Sequence, residues 1–444
     1  MNSVAVQQKR FLRLTPSNNS SSGYSPVSSQ PIIRFSVADT QALALLKDAR
    51  LNFRLKVTKT GASTPVALTD DFNVDSVTGL CGVSDQVIIS SRRYGTQLEQ
   101  VTNLGRLESS FYRSSYSPKM MSSSVYHGNK AVGLGRYNGY DGGARMASLT
   151  TDLRSLAMRK SLITTQSTNP KDDGFTSVSI PFHAGMFLTD EPMDLSVIGG
   201  IELAIFLKKP DDFFNGAAVA ADSNYTLYDV SLTLPVVYKS AAQIQQTPQE
   251  NIVEFLNWTS LYSVLDSTAS SIAYRLQLSG LVSAIHNMLP TAQINNPAHN
   301  GFALKSPDVQ RLTFLKDGVR SPLEKTTVVQ EDRTAVITNK STKYPEVLQD
   351  YLSAWLPNRD MKYTQVIGEN VSGVVNRNGV YGIGCNYSPT SGGINVSGVI
   401  GIDILSKLED ITTPDTAQTE PYALFSYFLS RQAFATMPSG IRAL

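Results

Sequence analysis

A chain of 444 residues and 48.3 kDa exceeds the ~250–300 residues at which a single core usually divides, so two domains are expected. Charged residues make up 17% and hydrophobic residues 41%. That is short of charge for a freely dispersed enzyme, where about a quarter of residues are charged, and it implies that much surface is covered by other subunits. The formal net charge of +2 excludes a protein whose entire surface binds nucleic acid.

The charge is unevenly placed. Lys9, Arg10, Arg13 and Arg34 precede the first acid, Asp39. Residues 1–31, rich in Ser and Asn and interrupted by Pro, read as a flexible basic N-terminal arm. Such an arm suits contact with nucleic acid or anionic lipid as well as a purely solvated role. Cys81 and Cys385 lie in different halves and are expected as free thiols in a reducing compartment. The N-terminal residues lack the apolar core of a signal peptide, and no run approaches ~18 apolar residues. A soluble protein made inside the cell, without a signal peptide, is expected. The Asn-x-Ser/Thr triplets at Asn224, Asn257, Asn339, Asn370, Asn386 and Asn395 read as ordinary polar loops.

Ordered structure is expected to begin with Ile32 to Val37, followed by a short apolar turn at Ala42 to Leu46. Leu51, Phe53, Leu55 and Val57 alternate with Asn52, Arg54 and Lys56, the period of a half-buried strand. Val83 to Ser90 is a further strand, reached through the loop Lys59 to Pro65. From 94 to 171 the alternation fades into Ser, Tyr, Gly and Arg, with Leu149, Leu153 and Leu156 at helical spacing. This reads as a long excursion carrying one short helix, of a length usually kept for a partner or a function.

Three alternating runs follow: Thr176 to Phe182, Ile201 to Leu207 after the turn pair Gly199-Gly200, and Tyr228, Val230, Leu232, Leu234 and Val236 opposite Asp229, Ser231 and Thr233. No helix of crossover length separates them, which predicts an antiparallel all-β layer. Residues 241–251 are the expected linker. Beyond it, Ile272 to Leu278, Arg311 to Leu315, Thr334 to Thr338, Ile394 to Leu405 and Tyr422 to Phe434 read as strands. Tyr344 to Trp355 reads as a helix bounded by Pro345 and Pro357, and 279 to 330 as mostly loop. Leu51-Asn-Phe-Arg-Leu-Lys-Val57 and Ile272-Ala-Tyr-Arg-Leu-Gln-Leu278 share one pattern about half a chain apart. Either two tandem copies of one domain or two generic strands explain it.

Residue types for catalysis are not grouped. His127, His183, His286 and His299 form no zinc-ligand spacing. Gly133-x-Gly135 with Gly139 lacks the Gly-Lys-Ser/Thr of a phosphate loop, and Gly-x-Ser-x-Gly is absent. The pairs Asp70-Asp71, Asp172-Asp173 and Asp211-Asp212 sit beside turn residues, and adjacent acids on a strand point apart. No catalytic residue, cofactor or metal site is assigned, and the chain is read as a non-enzyme. Tyr112, Tyr116, Tyr126, Tyr137 and Tyr140, interleaved with Arg106, Arg113, Arg136 and Arg145, fit a protein interface or a nucleic-acid surface.

Ile180-Pro-Phe-His-Ala-Gly-Met-Phe187, Met193-Asp-Leu195, Gly199 to Leu207 and Tyr225 to Leu234, preceded by Pro31-Ile-Ile-Arg-Phe35 and Leu51 to Leu55, resemble the first jelly roll of the double jelly-roll major capsid proteins of the tectivirus, adenovirus and virophage-like lineage. The resemblance covers residues 31–240 best. It implies an all-β chain of two tandem eight-stranded jelly-roll β-sandwiches with a few short helices in loops. The first would span 32–240 with the excursion 94–171, and the second 252–444.

It further implies a major capsid protein forming homotrimeric pseudo-hexagonal capsomers in an icosahedral virion. Its partners would be itself, neighbouring capsomers, and penton or minor capsid proteins. Lys9, Arg10 and Arg13 would lie on the inner side, near membrane, genome or minor proteins. A carbohydrate-binding or carbohydrate-degrading β-sandwich of a viral fibre, or a minor capsid or penton protein, are the alternatives.

Overall fold

The computed structural model describes residues 9–28, 30–38, 42–59, 73–75, 78–115, 176–215, 223–239, 252–265, 269–296, 301–302, 309–316, 319–327, 383–387, 394–406, 421–437 and 440–443. In chain order the strands of the N-terminal half are β1 (Lys9–Leu14), β2 (Ile32–Val37), β3 (Ala42–Ala44), β4 (Arg50–Lys59), β5 (Asn73–Val74), β6 (Ser84–Ser91), β7 (Gln97–Thr102), β8 (Thr176–Pro181), β9 (Met193–Asp194), β10 (Ile201–Leu207), β11 (Phe214–Asn215) and β12 (Ser223–Tyr238). Those of the C-terminal half are β13 (Ile252–Leu265), β14 (Ala269–Pro290), β15 (Val309–Lys316), β16 (Val319–Thr327), β17 (Ile383–Asn386), β18 (Ile394–Ser406), β19 (Tyr422–Met437) and β20 (Gly440–Ala443). Helix α1 spans Leu104–Ser115 and the short α2 Pro210–Phe213. The chain is all-β, as its sequence pattern implies.

One sheet is built on β12. Along one edge it pairs antiparallel with β4 and then β3, and along the other with β1, since Val236 is opposite both Ala44 and Arg10. Strands β8 and β9 add to β4 and β3. The inner face carries Leu51, Phe53, Leu55 and Val57 of β4 with Tyr225, Leu227, Leu232 and Leu234 of β12, all buried.

The facing sheet runs β2-β10-β6-β7. It contributes Ile33, Phe35, Ile201, Leu203, Ile205, Val87, Ile89 and Val101 to the same core. Period-two apolar residues therefore close two layers against each other, the sandwich arrangement.

The second sheet does not end at β7. A parallel bridge between Gln100 and Thr259 joins β7 to β13, and the order continues through β19, β14, β18, β15 and β16. Strands β13 and β19 pair over their whole length, Ile252 opposite Ala435 and Leu265 opposite Tyr422. One hydrophobic cluster takes Phe255, Trp258, Ile285, Phe302, Phe425 and Tyr427 from the C-terminal half together with the sandwich core.

Four expectations are corrected. The Ser/Asn-rich stretch before Ile32 is ordered from Lys9. Asn18 Nδ2 donates to Ile32 O at 2.7 Å, its Oδ1 accepts from Arg34 N at 2.9 Å, and the Tyr24 and Leu227 main chains exchange hydrogen bonds. Short polar side chains here supply the partners that a strand edge otherwise lacks.

The excursion beginning at 94 is β7 and α1 up to Ser115; Leu149, Leu153 and Leu156 lie outside the described residues, as do Thr334–Thr338 and Tyr344–Trp355. The loop expected over 279–330 contains the end of β14, β15 and β16. Residues 281–290 are buried on both sides of the strand, so no polar face marks them. In β12, Asp229 takes φ 50° at a bulge. The extra residue switches the inward positions from Tyr225 and Leu227 to Val230, Leu232 and Leu234, so Tyr228 faces away from the Val230 set.

Gly200 before β10 has φ 82°, and a Cβ there would stand 2.5 Å from Val37 O. Gly200→Ala is expected to lower unfolding stability by about 1–3 kcal/mol, read from urea denaturation. Exposed Glu202→Ala should change it by less than about 0.5 kcal/mol.

Candidate functional site

The residues assigned from sequence to an inner-surface contact lie together on β1. Lys9 Nζ pairs with Asp48 and sits 5.8 Å from the Phe11 ring. The Arg10 guanidinium lies 5.3 Å from the Tyr238 ring. Arg13 Nε donates to Ser231 Oγ at 3.2 Å. Because β1 pairs only with β12 among the described residues, these cations mark an open sheet edge.

Charged groups that the sequence reading did not group form a second constellation, buried where the two halves meet. Helix α1 follows β7 directly and is buried along Leu104 to Ser110. It carries Leu104, Leu107 and Phe111 at helical spacing, and also Arg106 and Glu108. Arg106 Nη2 donates to Asp212 Oδ1 at 2.9 Å and Oδ2 at 3.2 Å, its Nη1 donates to Gly301 O, and its guanidinium stacks 4.6 Å from the Phe425 ring.

Lys208, at the end of β10, lies 2.6 Å from Asp212 Oδ2 and 3.0 Å from Asp85 Oδ1. Burial pushes the Asp212 carboxyl pKa up, but Arg106 and Lys208 outweigh it and hold it below the usual carboxylate range. Asp212 is thus a fixed anion clamped by two cations.

The same helix reaches the C-terminal half through neutral groups. Ser110 Oγ donates to Asn287 Oδ1 at 2.5 Å, Asn287 Nδ2 donates to Arg106 O at 3.1 Å, and Ser109 Oγ donates to Phe302 O at 2.7 Å. On its other side Glu108 holds His183, through the ring Nδ1 and the backbone N–H at 3.2 Å. His183 is packed 4.1 Å from Phe111, a structural use.

Glu99 of β7 is the hinge point of three segments. Its Oε1 accepts from Gly185 N at 2.6 Å and Trp258 N at 2.9 Å, and its Oε2 from Met186 N at 2.9 Å. Burial raises its pKa to about 7, against the opposing pull of these three donors. Asn257 Nδ2 donates to Leu98 O at 2.6 Å, and Ser260 Oγ accepts from Thr102 N at 2.8 Å. A Cβ on Gly185 would stand 2.7 Å from Asn257 Cα, so the approach of turn 185–188 to β13 needs glycine.

Chemically this arrangement locks strands together; it presents no reacting group to solvent. Among the described residues no group of three or more His, Cys, Asp or Glu is placed to hold a metal ion. Asp211 is exposed while Asp212 is buried, so that pair does not converge. Asp70-Asp71, Asp172-Asp173, His127, His299 and the glycines from 133 to 143 lie outside the described residues. Of the interleaved Tyr/Arg series, Arg106 is inside the joint and unavailable to a ligand. The available signal was position: Glu99 sits between Leu98 and Val101, and Lys208 closes the alternating run Ile201–Leu207.

No protein-family model matches the sequence, and no curated protein is similar to it. Solved structures are similar in fold. A chain of the Sputnik virophage structure matches with TM-score 0.56 and 10% identity, over 99% of this chain and 88% of that one. The Faustovirus major capsid protein matches with TM-score 0.54 and 8% identity, over 97% and 91%. A chain of the PBCV-1 virus capsid matches with TM-score 0.52 and 10% identity, over 98% and 97%. The fold is the double jelly roll of these capsid proteins.

Arg106→Ala leaves Asp212 buried with one cation fewer and is expected to cost about 3–5 kcal/mol of stability in urea denaturation. Arg106→Lys should recover little, since a point charge cannot reproduce the fork on Asp212. Glu99 makes stability depend on pH with a definite sign. Its folded pKa of about 7 stands above the unfolded 4.5, so its contribution is complete below about pH 4.5 and is lost as pH rises through about 7.

Buried His286, lowered to about 3 from 6.5 by desolvation, acts oppositely, its contribution being lost as pH falls below 6.5. The readout is therefore the difference between wild type and Glu99→Gln. Wild-type stability relative to the variant should fall by about 3 kcal/mol between pH 4.5 and 7.5.

Proposed function

We propose that the chain is a major capsid protein that forms homotrimers of pseudo-hexagonal outline, and that these tile an icosahedral shell. The observation that carries this reading is the end-to-end likeness of fold to viral capsid proteins, with almost the whole of both chains covered. A shared sandwich alone would match over one half.

Two features of the chain support it. Charge is scarce, at 17% of residues, and large apolar side chains stand in solvent: Phe11 at 66% exposure, Val319 at 63%, Tyr262 at 53% and Val264 at 50%. Tyr262 and Val264 are neighbours on one face of β13, a placement that contact with another subunit would cover. A ring of heterologous contacts closes without a ligand. In this reading the two jelly rolls are 32–240 and 252–444, joined by 241–251, and the work of the protein is structural rather than enzymatic.

Light scattering coupled to size exclusion should give three times the 48.3 kDa chain mass, and negative-stain images should show particles of hexagonal outline. Tyr262→Asp with Val264→Asp should shift the mass toward one chain while circular dichroism stays that of a β protein. A wild-type protein that remains a monomer at high concentration would sink the proposal.

A further inference from the structure

Strand β1 pairs with β12 along all six of its residues, from Lys9 opposite Val237 to Leu14 opposite Leu232, and among the described residues no strand pairs with its other side. In an antiparallel ladder alternate residues turn their N–H and C=O away from the partner strand, so the outer border of β1 presents donors and acceptors in turn. Its side chains divide at the same period. Leu12 and Leu14 pack on the core yet are only partly buried by it. Lys9, Phe11 and Arg13 stand on the other side, all exposed, Phe11 at 66%. Arg10 is exposed at the rim of the Leu12 side, 5.3 Å from the Tyr238 ring. Asp48 answers Lys9, but no acid among the described residues meets Arg10 or Arg13, and Arg13 donates to neutral Ser231.

The geometry points to an extended acidic segment of another protein as the ligand of this border, added to β1 as one more antiparallel strand. Beside Leu12 and Leu14 the segment carries apolar side chains, which finish the cover that β1 leaves incomplete. Beside Arg10 and Arg13 it carries acids, and beside Phe11 an aromatic ring. Read from the position next to Leu14, its order is apolar, acidic, apolar, aromatic, acidic. In strand addition the main-chain bonds supply affinity and the alternate side chains select the partner. Aromatic and opposite-charge pairs across neighbouring strands both favour the match. A phosphate backbone fits less well, because its oxygens only accept and offer nothing to the outward C=O groups, whereas a strand meets donors and acceptors alike. This docking goes beyond the assembly role and does not depend on it.

The test is fluorescence anisotropy of a labelled peptide, Ser-Val-Glu-Val-Tyr-Glu-Ser, with the purified full-length protein at about 50 mM salt, where exposed charges are weakly screened. It should bind at least about fivefold more tightly than Ser-Val-Val-Glu-Glu-Tyr-Ser, which has the same composition without the alternation. Two further peptides carry N-methyl groups on one or the other alternate set of amides. The set that faces β1 should lose at least about tenfold, from two or three missing main-chain bonds, and the other set less than about twofold.

Arg10→Glu with Arg13→Glu should lose the acidic peptide and gain its counterpart with Lys in place of Glu, a reversal that a misfolded chain does not show. Arg10→Gln alone, with a loss of about twofold, keeps the test sound if the double variant does not fold. Arg34→Gln, exposed on the other sheet, should have no effect. The proposal is overturned by absence of binding, by equal affinity for the reordered peptide, by equal loss from both N-methyl sets, or by tighter binding of a labelled oligothymidylate. Loss of the peptide as trimers form would give the border to a second copy and overturn it as well. Trimer formation is read separately by mass, so either proposal can fail alone.

Discussion

Among the described residues, strand pairing between the two halves is limited to one parallel bridge from β7 to β13, far too little for a ladder to hold them in register. What fixes them is a set of buried polar groups that can be satisfied only when both halves are in place. Glu99 takes donors from the N-terminal half and from Trp258. Arg106 binds Asp212 on one side and Gly301 and Phe425 on the other. A buried charge separated from its partner costs several kcal/mol, whereas the intact pair contributes modestly. Such groups therefore specify a geometry more than they add stability, and the apolar cluster running through the joint supplies the cohesion.

This division explains which parts of the fold could be read in the sequence. Strands with one face on the core and one in water, such as β4 and β10, show their period directly. Strand β14 beyond Gly280 is buried at every position, polar Ser283, His286 and Asn287 included, so no alternation of apolar and polar faces marks it. Strand β13 begins with exposed Ile252 and carries exposed Tyr262 and Val264 just before buried Leu265, so hydrophobicity does not report its burial either.

Sites show the same contrast. Lys9, Arg10 and Arg13 were conspicuous as cations in a stretch without acids. The partners that give them a location, Asp48, Tyr238 and Ser231, are 39 or more residues away, as in the Lys9 to Asp48 separation. Arg106, Asp212 and Lys208 come from three elements, and no local spacing connects the first to the others. Asp229 illustrates a subtler loss. An alternating pattern was visible through Tyr228, yet one residue in a left-handed conformation reverses the pattern at that point.

The cations of β1 have a bearing on how many copies of this chain can share a solution. An uncapped strand is a template on which an identical strand can dock by main-chain hydrogen bonds. Here two such borders brought side by side would crowd Lys9, Arg10 and Arg13 against their own counterparts, and like charges facing across strands repel. Filament-like stacking through that border is thereby discouraged, and crowded monomers keep their main-chain donors in water until a differently shaped contact claims them.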